Sequence, residues 1–448
     1  MTGSRLALSR ATIGLSLKAR GKKPMSGLHS LFMEQINAAP RLYLIKRIEQ
    51  LIVEKTPKAP KPFVREYAKH IATTPAEPFE WADEREEGTD IELTLSAEEI
   101  IPLIEEAQKF IENELPAILP KIVKSSAKVI LKSLKADWSA QRAYDEARMI
   151  QFRENLLLRW QDAFDTLRMI YTISLEVGGE MVKSRRRSRS KKNRVLNDTL
   201  IRLHARACQV TFEVMTLMEN GLADGAMARW RTLHEIVVVA ELLVKHGEEL
   251  AVRYRAHEFV EAKRAMDRFV LFHEQLGYAP PSKRDVAETE KGYEAALKLY
   301  GDRFGSEYGW AAEHLKIKKP RMVDLEAAAG QAAMQSYYRM ASYNVHASSK
   351  GIAFRLGLLD SEESPVMLAG PSNAGFVEPA RNTAADLVHI TCLLAHGTAR
   401  FDRMVEWQIL IQLRDELFPK LDRAHRDLEK SHKARVKFEA ERRKMRGK

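Results

Sequence analysis

Apolar residues return every three or four positions through most of this chain, and no stretch alternates residue by residue as a strand would. Phe152, Leu156, Trp160, Phe164, Leu167 and Tyr171 fall on one face of a helix. Leu200, Leu203, Ala207, Val210, Val214 and Leu217 do the same in the next helix, and Ala226, Trp230, Leu233, Val237, Ala240 and Val244 in a third. A stripe with a period of about 3.6 residues is stable only when buried against another stripe. The pattern therefore predicts an all-α protein: a multi-helix up-and-down bundle with an N-terminal helical extension and a charged C-terminal helix. Two or three residues around Gly221 join the second and third helices, which forces an antiparallel hairpin. Asp198 reads as the cap of the second helix, and Gly178-Gly179 as the end of the first. Further helices are expected at about 248–275, 285–304, 324–346, 380–400 and 402–418, the last continuing into the tail.

A chain of 448 residues exceeds the usual size of one hydrophobic core. Residues 1–95 read as an N-terminal arm with a helical stretch and a proline-rich linker (Pro57, Pro60, Pro62, Pro75, Pro78), and 96–182 as helices leading into the core. Ser96 with Glu99 makes a capping box, while Pro116 and Pro120 are expected to break the helical run beyond it. Residues 183–197 read as a basic exposed loop, 198–418 as the core helical domain, and 419–448 as a basic helical tail. The connection between Ser348 and Pro379, with GPSNAGF at 370–376, is long enough to suggest a functional loop.

Charge is segregated. Residues 1–33 carry six Lys/Arg and no acid, 183–194 carry eight and none, and 420–448 carry twelve against five. These segments hold +21 of a net charge of +11, so the rest of the chain carries −10. A polyanion would meet the basic segments first, and RNA or another nucleic acid is the partner this implies. Solvated tails that keep the protein soluble are the other reading. The two cysteines, Cys208 and Cys392, sit in apolar patterns and suit core thiols in a reducing, cytoplasmic compartment. No apolar run approaches the roughly 20 residues that span a bilayer, so no membrane partner is expected.

The sequence has no phosphate-binding loop, dinucleotide fingerprint, zinc-protease helix or nucleophile elbow, and no cofactor is expected. Arg231 and Glu235, one turn apart with His234 alongside, read either as a helix–helix strut or as the lining of a polar cleft. In SYYRMASYNVHASSKG (336–351), Arg339 and His346 lie nearly two turns apart, about 10 Å along the axis and on one face, with Asn344 between them. Imidazole can take a proton from a ribose 2′-hydroxyl and guanidinium can grip a phosphate, the two groups that metal-independent RNA cleavage needs. The bland reading is a histidine capping its helix. Glu235 and His346 are expected to share one polar cleft. His257 and Glu261 share a face, but without further ligands they make no metal centre. The basic loop supplies the candidate nucleic-acid contacts: Lys183, Arg185, Arg186, Arg187, Arg189, Lys191, Lys192 and Arg194.

Four segments carry a resemblance: 152–178, the MENGLADGAMARWRTLHE hairpin (218–235), SYNVHASSKG (342–351) and LAGPSNAGFVEPA (368–380). Over about residues 150–405 they resemble a largely bacterial helical family known only as domain of unknown function number fifty-six seventy-seven. A looser likeness is to the HEPN ribonucleases and toxins, whose mark is an arginine, four to six residues, then a histidine. That likeness implies phosphate binding by Arg339 and proton transfer by His346, although Met340 stands where a polar residue usually follows the arginine. It further implies a homodimer with the site where two copies meet, an operon-encoded antitoxin or defence partner, and a role in antiviral defence or a toxin–antitoxin system. The expectation is a metal-independent endoribonuclease or toxin; the alternative is a non-catalytic nucleic-acid-binding or scaffolding protein.

Overall fold

In the computed structural model, the residues described are 28–74, 79–81, 93, 95–188, 190–359, 368–394 and 401–446, with side chains from Pro40 onward except at 114, 115, 118, 122 and 446. They contain helices and no strand, and none of the helices is long and apolar enough to cross a membrane. The chain divides into two compact units, with the boundary between Asp145 and Glu146. This boundary is not among the divisions expected from sequence, because it falls inside a helix that the composition does not interrupt.

The first unit is built from α1 (Leu28–Lys55), α2 (Lys61–Thr73) and α3 (Ala97–Lys109), followed by a π-helical turn at Phe110–Glu114 and the start of α4 (Leu115–Arg187). Ile48, Ile52, Val64 and Ala68 form its small core. Tyr43 stacks on Phe110 with centroids 4.4 Å apart, and Arg47 pairs with Glu106 at 2.8 Å. The expected capping reach occurs: the Ser96 N–H donates to Glu99 Oε2 at 3.0 Å. Two proline expectations change. Pro62 starts α2, in the first turn where its missing N–H costs nothing. Pro116 occupies the first turn of α4 for the same reason, and Pro120 withdraws a single donor, so the helix runs on for 73 residues. Pro75 and Pro78 lie outside the described residues.

The second unit contains the rest of α4 and then α5 (Arg194–Glu219), α6 (Ala223–His246), α7 (Glu248–Ala256), α8 (Glu258–Phe272), α9 (Lys283–Tyr300), α10 (Ala312–Leu315), α11 (Met322–Ala328), α12 (Gln335–Val345), α13 (Ser349–Ala353), α14 (Val377–Leu394) and α15 (Phe401–Arg446). The predicted hairpin is α5–α6. Helix α6 is the hub, packed by α5, α12 and α14, with Trp230, Leu233, Val237, Val238, Ala240, Leu242 and Leu243 fully buried. Burying a large apolar side chain is worth about 1.5–3 kcal/mol, so this one helix anchors much of the core.

Two helix ends differ from expectation. Helix α5 starts at Arg194, before Asp198, because Glu248 from the start of α7 accepts hydrogen bonds from the Val195 and Leu196 N–H groups, both at 2.9 Å. A carboxylate against a helix N-terminus satisfies open donors and opposes the helix dipole. Asp198 instead pairs with Arg185 at 2.8 Å. Nor does Gly178-Gly179 stop α4, which continues to Arg187 and removes five residues from the expected loop 183–197 at its start. A Cβ on Gly178 would stand 2.9 Å from the His204 ring. The glycine is a notch for a buried side chain in the adjoining helix.

The 370–376 connection is also structural. Trp160 donates its indole N–H to the Asn373 carbonyl at 2.9 Å, and the Ser372 N–H donates to the Gly221 carbonyl at 2.9 Å. Phe376 is buried edge-on against Trp160, with centroids 5.1 Å apart. Gly375 has φ +87° and approaches Leu356 so closely that a Cβ would lie 2.3 Å from its carbonyl oxygen. The segment is a wedge between α4 and the α5–α6 turn.

The two adjacent glycines of α4 give a paired test. Gly178→Ala is expected to destabilise by about 1–3 kcal/mol through overpacking. Gly179→Ala, with nothing within 4 Å of the added methyl, is expected to stabilise by roughly 0.5–1 kcal/mol through helix propensity. Urea unfolding of both variants decides this, and equal effects would contradict the notch.

Candidate functional site

Helix α6 turns a polar edge toward α11, α12 and α14. Deepest in that edge is His234, with no solvent exposure, its Nε2 lying 3.3 Å from Glu326 Oε1 on α11. Its Nδ1 faces Asp386 Oδ2 on α14 at 3.4 Å, as an ion pair outside hydrogen-bonding alignment. The same Asp386 oxygen accepts the Trp230 indole N–H at 2.7 Å. Burial alone depresses the imidazole pKa, but Asp386 and then Glu326 outweigh it, so the His234 pKa is raised above its ordinary value. Burial raises that of Glu326, against the pull of His234.

One turn outward the edge reaches the surface. Arg231 Nε donates to Glu235 Oε1 at 3.1 Å, and the Tyr338 hydroxyl of α12 donates to the same oxygen at 2.6 Å. The guanidinium lies 4.6 Å from the Tyr338 ring centroid, so ring and carboxylate hold it together. Burial, then Glu235, raises the Tyr338 pKa well above the usual phenol range, and burial with the Glu235 charge pushes Tyr308 up to about 12. Both hydroxyls keep their protons, and that of Tyr338 serves as a donor. Arg231 and Glu235 are the expected i, i+4 pair, and they strap α12 to α6.

At the far end of α12, His346 is the residue just past the last helical turn. Its backbone N–H donates to the Ser342 carbonyl at 3.0 Å, while its ring is exposed and makes no hydrogen bond or ion pair among the described residues. Arg339 is exposed too, and Asn344 is half-buried with Oδ1 3.5 Å from Arg355 Nη1. The close approach of the two chain segments here needs a glycine, since a Cβ on Gly351 would lie 2.2 Å from the Tyr343 carbonyl oxygen. Arg339 is thus exposed on α12 and His346 exposed at its C-terminal end. His346 and Glu235 do not touch: Tyr338 takes the carboxylate, and His346 lies eight residues further along, about 12 Å at the helical rise. No hydrogen bond or ion pair among the described residues joins the two residues expected to share a cleft.

The basic candidates also divide. Lys183 pairs with Glu180 at 2.8 Å, Arg185 is mostly covered and paired with Asp198, and Arg194 stands 4.0 Å from the same carboxylate. Arg187 lies beside Asp402, Arg403 and Glu406, where α4 meets the start of α15. Arg186, Lys191 and Lys192 are exposed and without an ion pair among the described residues, while Arg189 lies outside those residues. His257 is buried, its Nε2 3.0 Å from the Ser306 carbonyl oxygen and its Nδ1 3.5 Å from Glu261. It ties the α7–α8 junction to the loop after α9.

Sequence reasoning missed Glu326, Asp386 and Tyr338. The available signal was faint: Asp386 is an acid among the inward residues Ala384, Leu387 and Ile390 of α14. An acid in that position needs a buried partner.

With this geometry in hand, the comparison with known families is specific. Residues 197–364 match the family described as "Family of unknown function (DUF5677)". No curated protein and no solved structure matches the chain. The DUF5677 match is narrower than the span of about 150–405 inferred from sequence; it includes His234, Glu326, Arg339 and His346 but neither Trp160 nor Asp386. The His234 cluster therefore joins the DUF5677 segment to α14, outside it.

The buried histidines give opposite titrations. Burial depresses His204 to about 4; its Nε2 lies 3.1 Å from the Thr391 hydroxyl oxygen. The unfolded ring takes a proton below about 6.5, so stability from neutral His204 is lost as pH falls from about 6.5 toward 4, on the order of 3 kcal/mol in all. His234 has the reverse sign: its raised pKa adds stability below about 6.5 that is lost as pH rises through the folded value. Imidazole NMR titration should show one ring still neutral near pH 5 and another still protonated above 6.5. Two rings titrating together near 6.5 would contradict both assignments.

Proposed function

We propose that this protein binds nucleic acid through its basic surface segments. The observation that carries the reading is the exposure of Arg186, Lys191 and Lys192 without carboxylate partners, in a chain whose body is acidic. Other exposed cations of the second unit do find carboxylates, as in Arg168–Glu219 and Arg284–Glu288, whereas these three stand close together in sequence without one. Cations left unmatched beside a supply of carboxylates suit phosphate. The contact is to the phosphate backbone, which gives affinity with little sequence information.

Substituting Arg186, Lys191 and Lys192 together by alanine should weaken binding across unrelated sequences. It should also lower the slope of log affinity against log salt by about 3, one phosphate contact per residue. The fold should be unaffected, because none of the three is buried. An unchanged slope returns these residues to the role of solvated charge.

A second reading, RNA cleavage, is favoured by one observation: Arg339 on α12 and His346 at its C-terminal end are both exposed. In that reaction His346 takes the proton of a 2′-hydroxyl, whose oxygen attacks the adjacent phosphorus. The 5′-oxygen leaves with a proton from water, and Arg339 holds the non-bridging oxygens. His346→Ala should lower the cleavage rate by roughly 10²–10⁴-fold with little loss of affinity, whereas Arg339→Ala should reduce both. Gel analysis of labelled RNA, with and without EDTA, measures this. A wild-type protein that binds RNA and never cuts it leaves the binding function alone.

A further inference from the structure

Helix α15 runs antiparallel to the second half of α4, and three contacts fix their register. Near one end, Arg187 of α4 lies beside Arg403 of α15. In the middle, Lys420 Nζ reaches Asp162 at 2.8 Å and the Thr166 hydroxyl at 2.9 Å. Toward the other end, Arg159 donates to the Ser431 hydroxyl at 3.1 Å. The separation from Arg159 to Arg187 equals that from Arg403 to Ser431, roughly 28 residues, or about 42 Å at the helical rise of about 1.5 Å.

The basic segments continue from opposite ends of this pair. Beyond Arg187 come the exposed Lys191, Lys192 and Arg194. Beyond Ser431 come the exposed Lys433, Arg435, Lys437, Arg442, Arg443 and Lys444, against Glu439 and Glu441. Between them the exposed surface interleaves the carboxylates of Asp165, Glu176, Glu180, Asp415, Glu416 and Asp427 with the cations Arg168, Lys183, Arg423, Arg426 and Lys430. The two cationic surfaces therefore lie about 42 Å apart at the helical rise, with a stretch of mixed charge between.

Resting on the nucleic-acid reading above, we propose that the two ends of the α4–α15 pair grip a single double-stranded nucleic acid at two places along its length. A duplex advances about 3.4 Å per base pair, so about 12 base pairs are needed to reach both ends. The duplex is stiff over far greater lengths, so once one end binds it the other meets phosphate at high effective concentration. A flexible single strand lacks that stiffness and loses entropy in spanning the distance between the ends, which favours the duplex as occupant.

The test is fluorescence anisotropy of the full-length protein with duplex DNA of 8, 10, 12, 16 and 20 base pairs at one salt concentration. Affinity per available register should rise at least 10-fold between 10 and 16 base pairs, with a steeper salt dependence for the longer duplexes. Duplex RNA, which rises less per pair, should show the step at a greater length. The variant Lys433→Gln/Arg435→Gln/Lys437→Gln should lose the step, so that its affinities for the 8- and 20-base-pair duplexes differ only by the number of registers. These are exposed positions, and circular dichroism checks that the helix persists. Binding that grows only with the number of registers, or a step that survives in the variant, overturns the two-place grip while leaving nucleic-acid binding intact. Failure of the wild type to bind any duplex overturns both.

Discussion

The second unit depends on an imidazole clamped between two carboxylates in its interior. His234, Glu326 and Asp386 come from three helices, and each loses nearly all contact with water. Their desolvation is expensive, and mutual attraction returns that cost only where geometry and further hydrogen bonds are good. Trp230 supplies one of those bonds to Asp386. The consequence is asymmetric. Removing one member strands the others as unpaired buried charge, while the intact set fixes which residues of α11 and α14 face α6. An apolar contact of the same area would permit sliding along the helix axis; this one permits a single register.

The α-helical architecture and the α5–α6 hairpin were legible because they follow from local periodicity, which one segment carries by itself. Helix ends were less legible. Gly178-Gly179 has the local chemistry of a stop, yet its neighbour across space is the His204 ring, and tertiary packing overrides the local preference. Asp198 has the chemistry of a cap, but Glu248 occupies that role from the far side of the hairpin. Within the candidate site, the Arg231–Glu235 pair was visible as an i, i+4 spacing. Tyr338, which completes it, was not, because nothing in the spacing ties residue 338 to residue 235. The 370–376 segment shows the opposite failure: loop length suggested function, and the structure uses the glycine-containing segment to pack closely against Leu356 and Trp160.

Charge segregation places a constraint of its own on the molecule. An acidic body with basic ends has attractive as well as repulsive faces toward other copies of itself, and attraction of this kind weakens as salt screens it. Ionic strength thus acts on two quantities at once, contacts with polyanions and contacts between molecules.

The cap that Glu248 places on α5 sets an order of assembly. An isolated helix gains its first turn from residues close by; here the two carboxylate oxygens arrive from more than fifty residues downstream. The start of α5 is therefore completed only after α5 and α6 have folded back and α7 has been delivered beside them. Contacts of such separation form late and slow the approach to the native state, because the loop must close before the bond is gained. The residues 190–193 are tethered at their C-terminal side by this late-forming joint, so Lys191 and Lys192 take their native positions only once the hairpin beneath them is closed.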